Sequence, residues 1–140
     1  MSQIRSVAIC VIQKDDSLFL MECYDSVKKE KYYRPLGGGI EFGELGEDAV
    51  RREFKEEIGA DLKNLKFIGA IENLYTLEGK PGHEIVLIFT GDFSDSAFYE
   101  VKECPIIEGG KQVDKGIWKP LKLFQDGKSP LYPDGLIDLI

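Results

Sequence analysis

The sequence is poor in the residues that cross-link small domains. Only three of its 140 residues are cysteine, and Cys10, Cys23 and Cys104 are widely spaced with no Cys-x-x-Cys pair. An odd and dispersed set of this kind argues against both a disulfide framework and a structural zinc site. We therefore expect a chain whose thiols stay reduced, as they do in the cytoplasm.

Long apolar runs and an excess of basic residues are also missing. Apolar runs such as residues 85–90 fall far short of the ~20 residues that cross a bilayer, and residues 1–5 lack the pattern of a signal peptide. The 18 basic and 25 acidic residues give a net charge of −7, which argues against a broad basic face for nucleic acid. We expect neither a membrane nor a stable nucleic-acid partner. A small phosphorylated substrate stays compatible with this charge, because a bound metal ion inverts the local sign.

Enough apolar residues are present to fill one core. They make up 43% of the chain, so residues 1–140 are expected to form a single domain. Helical periodicity predicts a central helix at 47–58 and short terminal helices at 121–125 and 134–140. Strands are predicted at 7–12, 18–24, 32–36, 65–75, 84–93 and 115–119, and residues 94–112 are the least regular part. The expected fold class is α+β, with helices packed on a mixed sheet in an α/β/α arrangement.

The central helix carries a cluster of acidic side chains. At 100° per residue, Glu53, Glu56 and Glu57 share an arc of about 100°. An apolar stripe lies directly beside this arc and consists of Val50, Phe54 and Ile58. The carboxylates thus border the buried side of the helix, where like charges repel and ionisation is unfavourable.

Two kinds of partner can relieve this repulsion. Arg52 stands one turn before Glu56 and can pair with it, but one arginine does not balance three carboxylates. A divalent cation does, since clustered carboxylates suit Mg²⁺, Mn²⁺ or Ca²⁺. The alternative is an ordinary solvated helix surface.

The three glycines at 37–39 favour a ligand site by letting the backbone approach closely, although a plain tight turn also uses glycine. Glu44 either adds an outer carboxylate or stabilises the helix start.

Together these residues resemble the Nudix box of MutT-like hydrolases. That pattern is Gly, five residues, Glu, seven residues, then R-E-U-x-E-E-x-G-U with U apolar. It is matched by Gly38, Glu44, Arg52, Glu53, Phe54, Glu56, Glu57, Gly59 and Ala60. Two positions depart from many family members, since Leu36 replaces a proline before the glycines and Gly46 replaces a helix-capping Ser or Thr. Gly46 is then the expected, weaker cap.

The resemblance implies a fold, a cofactor and roles for the box residues. The implied fold is the Nudix fold, a mixed sheet between helices, and the implied cofactor is Mg²⁺ or Mn²⁺. Glu53, Glu56, Glu57 and the carbonyl of Gly37 would bind the metal, with Glu44 more distant. Arg52 would orient the glutamates.

The implied activity is Mg-dependent hydrolysis of the pyrophosphate bond of a nucleoside diphosphate linked to another moiety, such as a nucleotide sugar. Two alternatives stay open: a triphosphate pyrophosphohydrolase that removes oxidised nucleotides, and a non-catalytic nucleotide-binding regulator. The family also suggests a homodimer.

The residues outside the box are less tightly assigned. The general base is a box glutamate or one from a later loop, for which Glu84, Glu100 and Glu103 are candidates. Arg34 is a candidate phosphate ligand, and His83 a candidate for phosphate contact or proton transfer; an exposed strand-end charge and a strand-edge histidine are the alternatives. Aromatic side chains that could stack on a base are Phe19, Tyr32, Tyr33, Tyr75 and Trp118, with core packing favoured for Trp118.

Overall fold

An eight-stranded mixed sheet and two α-helices make up the part of the chain that the computed structural model describes, residues 2–140. Met1, the first residue of the predicted domain, lies outside it. The strands are β1 (Arg5–Lys14), β2 (Ser17–Asp25), β3 (Glu30–Arg34), β4 (Leu36–Gly39), β5 (Leu62–Leu77), β6 (Lys80–Phe93), β7 (Glu103–Glu108) and β8 (Lys111–Pro120). The helices are α1 (Gly46–Ile58) and α2 (Leu121–Gln125), with single 3-10 turns at Ser96–Tyr99 and Leu136–Asp138.

The sheet divides into two arms. Its strand order is β5-β6-β1-β2-β8-β7, and β1 runs parallel to β6. The strands β1 and β2 pair only next to their connecting turn, from Ile12↔Phe19 to Lys14↔Ser17. Beyond that point β4 pairs with β1 and β3 pairs with β2. Since β3 and β4 are joined through Pro35, the two arms diverge from this proline and leave a wedge between them.

Helices cover both faces of the sheet. Alternate β1 residues Ala8, Cys10 and Ile12 pack with α1, whose Val50 and Phe54 are fully buried. The intervening β1 residues pack with α2 and the C-terminal segment, which contribute Phe124, Leu131 and Leu136. This period-two alternation builds two apolar layers on one sheet. The predicted α/β/α arrangement is confirmed, and no helix within residues 2–140 has the length and apolar character to span a bilayer.

Three predicted segments differ from the structure. The predicted strand at 32–36 is interrupted at Pro35 and divides into β3 and β4, which pair with different strands. Residues 94–112 are more regular than predicted, because they contain a 3-10 turn that Asp95 caps through the backbone N–H of Ala97 and the strand β7, whose Ile106 is fully buried. The predicted helix at 134–140 is wrong: Gly135 is left-handed, with φ of 92°, and a single 3-10 turn follows. So short a segment cannot sustain an α-helix by itself. The predicted helix at 121–125 is confirmed.

Candidate active site

The helix α1 begins directly after the glycine-rich strand β4 and its loop. Gly46 is its first residue rather than its cap, and Leu45 at the N-cap position provides no side-chain hydrogen bond. Glu47 and Asp48 in the first turn compensate, since negative charge favours a helix N-terminus. The helix ends at Ile58 and is capped by Gly59, whose left-handed backbone lets its N–H reach the carbonyls of Lys55 and Phe54.

Arg52 is the hub of the acidic cluster. Its Nε and Nη2 donate to the two carboxylate oxygens of Glu44 at 2.8 and 2.9 Å, and Nη2 also donates to the carbonyl of Gly39 at 3.0 Å. Its Nη1 donates to Glu53 at 3.0 Å and to Glu56 at 3.4 Å. The hydrogen bonds from Arg52 lower the pKa of Glu44 to about 2. The predicted pairing with Glu56 is present, but the bidentate bond to Glu44 is the shorter contact.

Glu57 is the most unusual carboxylate in the described part of the chain. Its side chain lies on the buried edge of α1 and is 2% exposed, and both carboxylate oxygens lack a hydrogen-bond partner. Burial, followed by the charges of Glu53 and Glu108, raises the pKa of Glu57 to about 8, and Arg34 opposes this rise. Burial also raises the pKa of Glu53. Unpartnered buried acceptors require a cation or a proton.

The glycines at 37–39 belong to β4 and do not form a tight turn. A Cβ on Gly37 would lie 2.1 Å from the carbonyl oxygen of Ala8, and one on Gly38 would lie 2.5 Å from the carboxyl carbon of Glu53. Side chains at these positions would therefore displace the neighbouring strand or the Glu53 carboxylate. The glycine-rich strand thus forms a close cradle for the carboxylate of Glu53.

The donor set fits a divalent cation. The structure places Glu53 against β4, buries Glu57 without partners, and leaves Glu56 58% exposed in its side chain. Hard oxygen donors of this kind suit Mg²⁺ or Mn²⁺. Within residues 2–140, however, no three acidic, histidine or cysteine side chains already converge as a complete cage. Arg52 neutralises Glu53 and Glu56 in the protein alone, so the metal roles of the box residues stay predictions.

A cavity of about 630 Å³ fills the wedge between the two sheet arms. Three tyrosines, Tyr32, Tyr75 and Tyr132, contribute to its wall. Tyr32 and Tyr132 pack with ring centroids 5.4 Å apart, and the hydroxyl of Tyr75 donates to Glu84 at 3.1 Å. Aromatic walls with a few fixed polar groups are typical of small-molecule sites.

Gly39 lies between Arg5, which lines the cavity, and the acidic cluster. Arg5 donates to Glu84 inside the cavity at 3.3 Å, and its guanidinium lies 3.2 Å from where a Cβ on Gly39 would stand. The carbonyl of the same glycine accepts from Arg52. Gly39 alone therefore separates the Arg5 guanidinium, which lines the cavity, from Arg52 and the carboxylates that it binds.

The residues predicted outside the box fall into two groups. Arg34 and Glu84 line the cavity. His83 does not, since side chains alternate along β6 and its neighbour Glu84 faces the cavity. Glu103 and Glu100 are exposed and form ion pairs with Lys115 at 3.3 Å and Lys14 at 3.9 Å.

The aromatic candidates divide in the same way. Tyr32 and Tyr75 line the cavity. Phe19 and Tyr33 are buried in the core, and Trp118 packs on Phe19 with ring centroids 5.2 Å apart. These three are therefore not placed to stack on a base in the cavity.

Two residues that the sequence analysis missed join the site. Arg5 reaches it through the parallel pairing of β1 with β6, which sets Arg5 opposite Glu84. Glu108 lies at the end of β7 and raises the pKa of both Glu53 and Glu57. No spacing in the sequence links either residue to the box, because both arrive through long-range pairing.

Comparisons with known proteins identify the class of this domain. A family model described as "NUDIX domain" matches residues 2–105. The chain belongs to the NUDIX family.

The match to an individual relative covers a smaller part of the sequence than the family model does. The NAD-capped RNA hydrolase NudC of Shigella flexneri is 38% identical over 66 residues, which cover 47% of this chain and 25% of that protein. The match thus spans about a quarter of this relative.

Solved structures show the same fold at low sequence identity. A NUDIX hydrolase from Nitrosomonas europaea superimposes with a TM-score of 0.66 at 16% identity, covering 98% of this chain and 86% of that one. A MutT NUDIX hydrolase from Burkholderia pseudomallei gives a TM-score of 0.62 at 20% identity, with 86% of each chain covered.

Proposed function

We propose that this chain uses Mg²⁺ or Mn²⁺ to hydrolyse the pyrophosphate bond of a nucleoside diphosphate linked to a second moiety, such as a sugar or another nucleotide. The observation that carries the proposal is the position of Gly39. It lies between Arg5, which lines the tyrosine-walled cavity, and Arg52, which holds a carboxylate cluster next to the buried, unpartnered Glu57. A substrate seated in the cavity would present its phosphates to the cluster.

The box residues would hold the metal. We assign Glu53, Glu56, Glu57 and the carbonyl of Gly37 as its ligands. When bound, a divalent cation polarises phosphoryl oxygens and lowers the pKa of coordinated water.

Glu44 and Arg52 would order these ligands without contacting the substrate. Glu44 holds the guanidinium of Arg52 in a bidentate pair, and this fixes Nη1 next to Glu53 and Glu56. The general base is one of the box glutamates or Glu108, the later acidic residue that lies near Glu53 and Glu57.

The cavity would bind the rest of the substrate. Tyr32, Tyr75 and Tyr132 supply aromatic surface for a base, and Arg5 and Arg34 supply positive charge next to the cluster. A volume of about 630 Å³ lies within the range of pockets that enclose ligands of nucleotide size. A relative named as a NAD-capped RNA hydrolase also supports a substrate with a nucleotide on each side of the scissile bond.

The test is a screen for metal-dependent hydrolysis. Nucleotide sugars, ADP-ribose, dinucleoside polyphosphates and normal or oxidised triphosphates are incubated with Mg²⁺ and with chelator, and products are identified by mass. Glu56→Gln is compared with Glu47→Gln, a matched change on the exposed side of the same helix. Turnover in wild type and Glu47→Gln, with loss in Glu56→Gln, supports the proposal. Nucleotide binding without Mg²⁺-dependent turnover would instead indicate a non-catalytic regulator. Turnover of triphosphates alone would indicate a pyrophosphohydrolase that removes oxidised nucleotides.

We also propose a cytoplasmic location and a homodimer. Cys10, Cys23 and Cys104 are free thiols, as expected in a reducing compartment. Subcellular fractionation tests the location, and light scattering on the purified chain tests the dimer.

A further inference from the structure

Two turns from opposite arms of the sheet meet across the wide end of the wedge. The turn between β2 and β3 contributes Asp25 and Ser26, and the turn between β5 and β6 contributes Glu78. We call these three residues the clasp; Glu78 is 53 positions from Asp25 and 52 from Ser26 in the sequence. Asp25, with the neighbouring Lys28 and Leu77, lines the cavity.

The clasp is reciprocal. The backbone N–H of Glu78 donates to Oδ2 of Asp25 at 3.2 Å. In return, the carboxylate of Glu78 accepts from the backbone N–H of Ser26 at 2.9 Å and from its hydroxyl group. Each turn therefore donates to a carboxylate of the other, and hydrogen bonds to charged acceptors are among the stronger ones in proteins.

Asp25 also shapes its own turn. Its Oδ1 accepts from the backbone N–H groups of Val27 and Lys28, both at 3.0 Å, and its side chain is 1% exposed. These hydrogen bonds lower the pKa of Asp25. Oδ1 of Asp25 thus holds its own turn, and Oδ2 links the two arms of the sheet. The proposed metal-dependent hydrolysis uses neither oxygen.

We propose that the clasp sets the spacing of the two arms at the wide end of the cavity and so determines the size of the moiety that the cavity accepts. The arms are joined covalently at Pro35, where the wedge is narrow, and at the wide end the clasp resists their separation. Asp25 and Glu78 are then positioning residues for specificity. This inference rests on the proposed function.

Asp25→Asn separates the two purposes of the carboxylate. The amide oxygen can still accept from Val27 and Lys28, but the amide N–H₂ would face the N–H of Glu78 and cannot accept from it. Glu78→Ala removes both acceptors of the other half of the clasp at an exposed residue. Glu72→Ala, at an exposed position of β5, is the matched control, since this carboxylate is remote from the turn.

The measurements compare a small and a bulky ligand, ADP-ribose and diadenosine tetraphosphate. We expect the preference for the bulky ligand, measured as a ratio of kcat/KM values, to rise about tenfold in Asp25→Asn and Glu78→Ala. The change should lie mainly in KM, and Glu72→Ala should match wild type. Hydrogen exchange at the amides of Ser26 and Glu78 should accelerate in the two clasp variants.

Calorimetry of the same ligands with Ca²⁺ in place of Mg²⁺ gives the preference without turnover. An unchanged ratio of affinities in both clasp variants, despite faster exchange at the clasp amides, would overturn the proposal. A wild-type protein that binds both ligands but hydrolyses neither, nor any other compound of the screen, would overturn the proposed function instead. The calorimetric comparison would then still decide the role of the clasp.

Discussion

Replacing Glu57 with glutamine should stabilise the metal-free protein while abolishing its activity. The wild-type carboxyl is 2% exposed and has no hydrogen-bond partner, so ionisation inside the fold is unfavourable. Glutamine keeps the shape and polarity of the protonated acid but does not ionise. The difference between the two proteins therefore isolates the free-energy cost of burying this carboxyl, a cost that a bound cation would relieve.

The size of the effect follows from the raised pKa. Burial raises the pKa of Glu57 from 4.5 to about 8, so between these values the unfolded chain releases a proton that the folded chain keeps. Stability then falls as pH rises, by about 1.4 kcal/mol per pH unit, to a deficit of about 3 kcal/mol at pH 7. The deficit should shrink below about 1 kcal/mol near pH 5 and level off above pH 8.

Thermal unfolding in the presence of chelator, from pH 5 to pH 9, is the assay. At pH 7 Glu57→Gln should melt roughly 10 °C above wild type, and the two should converge near pH 5. Glu56→Gln is the control, because its side chain is 58% exposed and its stability should stay within about 0.5 kcal/mol of wild type. Added Mg²⁺ should raise the melting temperature of wild type and not of Glu57→Gln. A Glu57→Gln protein no more stable than wild type at any pH would refute the reasoning.

Three further outcomes are expected. Chelator should abolish turnover, and Glu56→Gln or Glu57→Gln should lower kcat at least ~100-fold with Mg²⁺ present, as measured by phosphate-product assays. Gly38→Ala should lower kcat as well, because its Cβ would stand 2.5 Å from the Glu53 carboxyl carbon, and normal kinetics in this variant would argue against the cradle. Arg5→Ala should raise KM about tenfold with little change in kcat, since Arg5 lines the cavity and lies outside the box. Steady-state kinetics that show a lower kcat at an unchanged KM would mean that Arg5 acts on the chemical step instead.

The helix α1 and its acidic face could be predicted because both depend on the spacing of residues within one short segment of the sequence. Helical periodicity places Glu57 next to Val50 and Phe54, and the structure buries all three. The same periodicity predicts a pairing of Arg52 with Glu56, which is present. The glycines at 37–39 show the limit of such reasoning, since composition alone does not distinguish a turn from a strand that packs closely.

The cavity was not predictable in the same way, since its walls come from segments far apart in sequence. Arg5 meets Glu84 only because β1 and β6 run parallel in one register, and Asp25 meets Glu78 only because two turns reach the same place. A shift of the β1–β6 register by one residue would turn Glu84 to the opposite face. Tyrosines at 32, 75 and 132 carry no local signal that distinguishes a cavity wall from a core.

The proline between β3 and β4 has a consequence for how this domain can diversify. The box residues that we assign to the metal all follow Pro35 within about 25 residues of chain, whereas the cavity wall comes from β1, β3, β5, β6, the turn after β2 and the carboxyl-terminal segment. Replacement of the segments that line the cavity would change which ligand binds there and leave the hydrolytic reaction unchanged. Insertions in these segments should therefore retune selectivity, whereas an insertion next to Pro35 would misalign both halves at once.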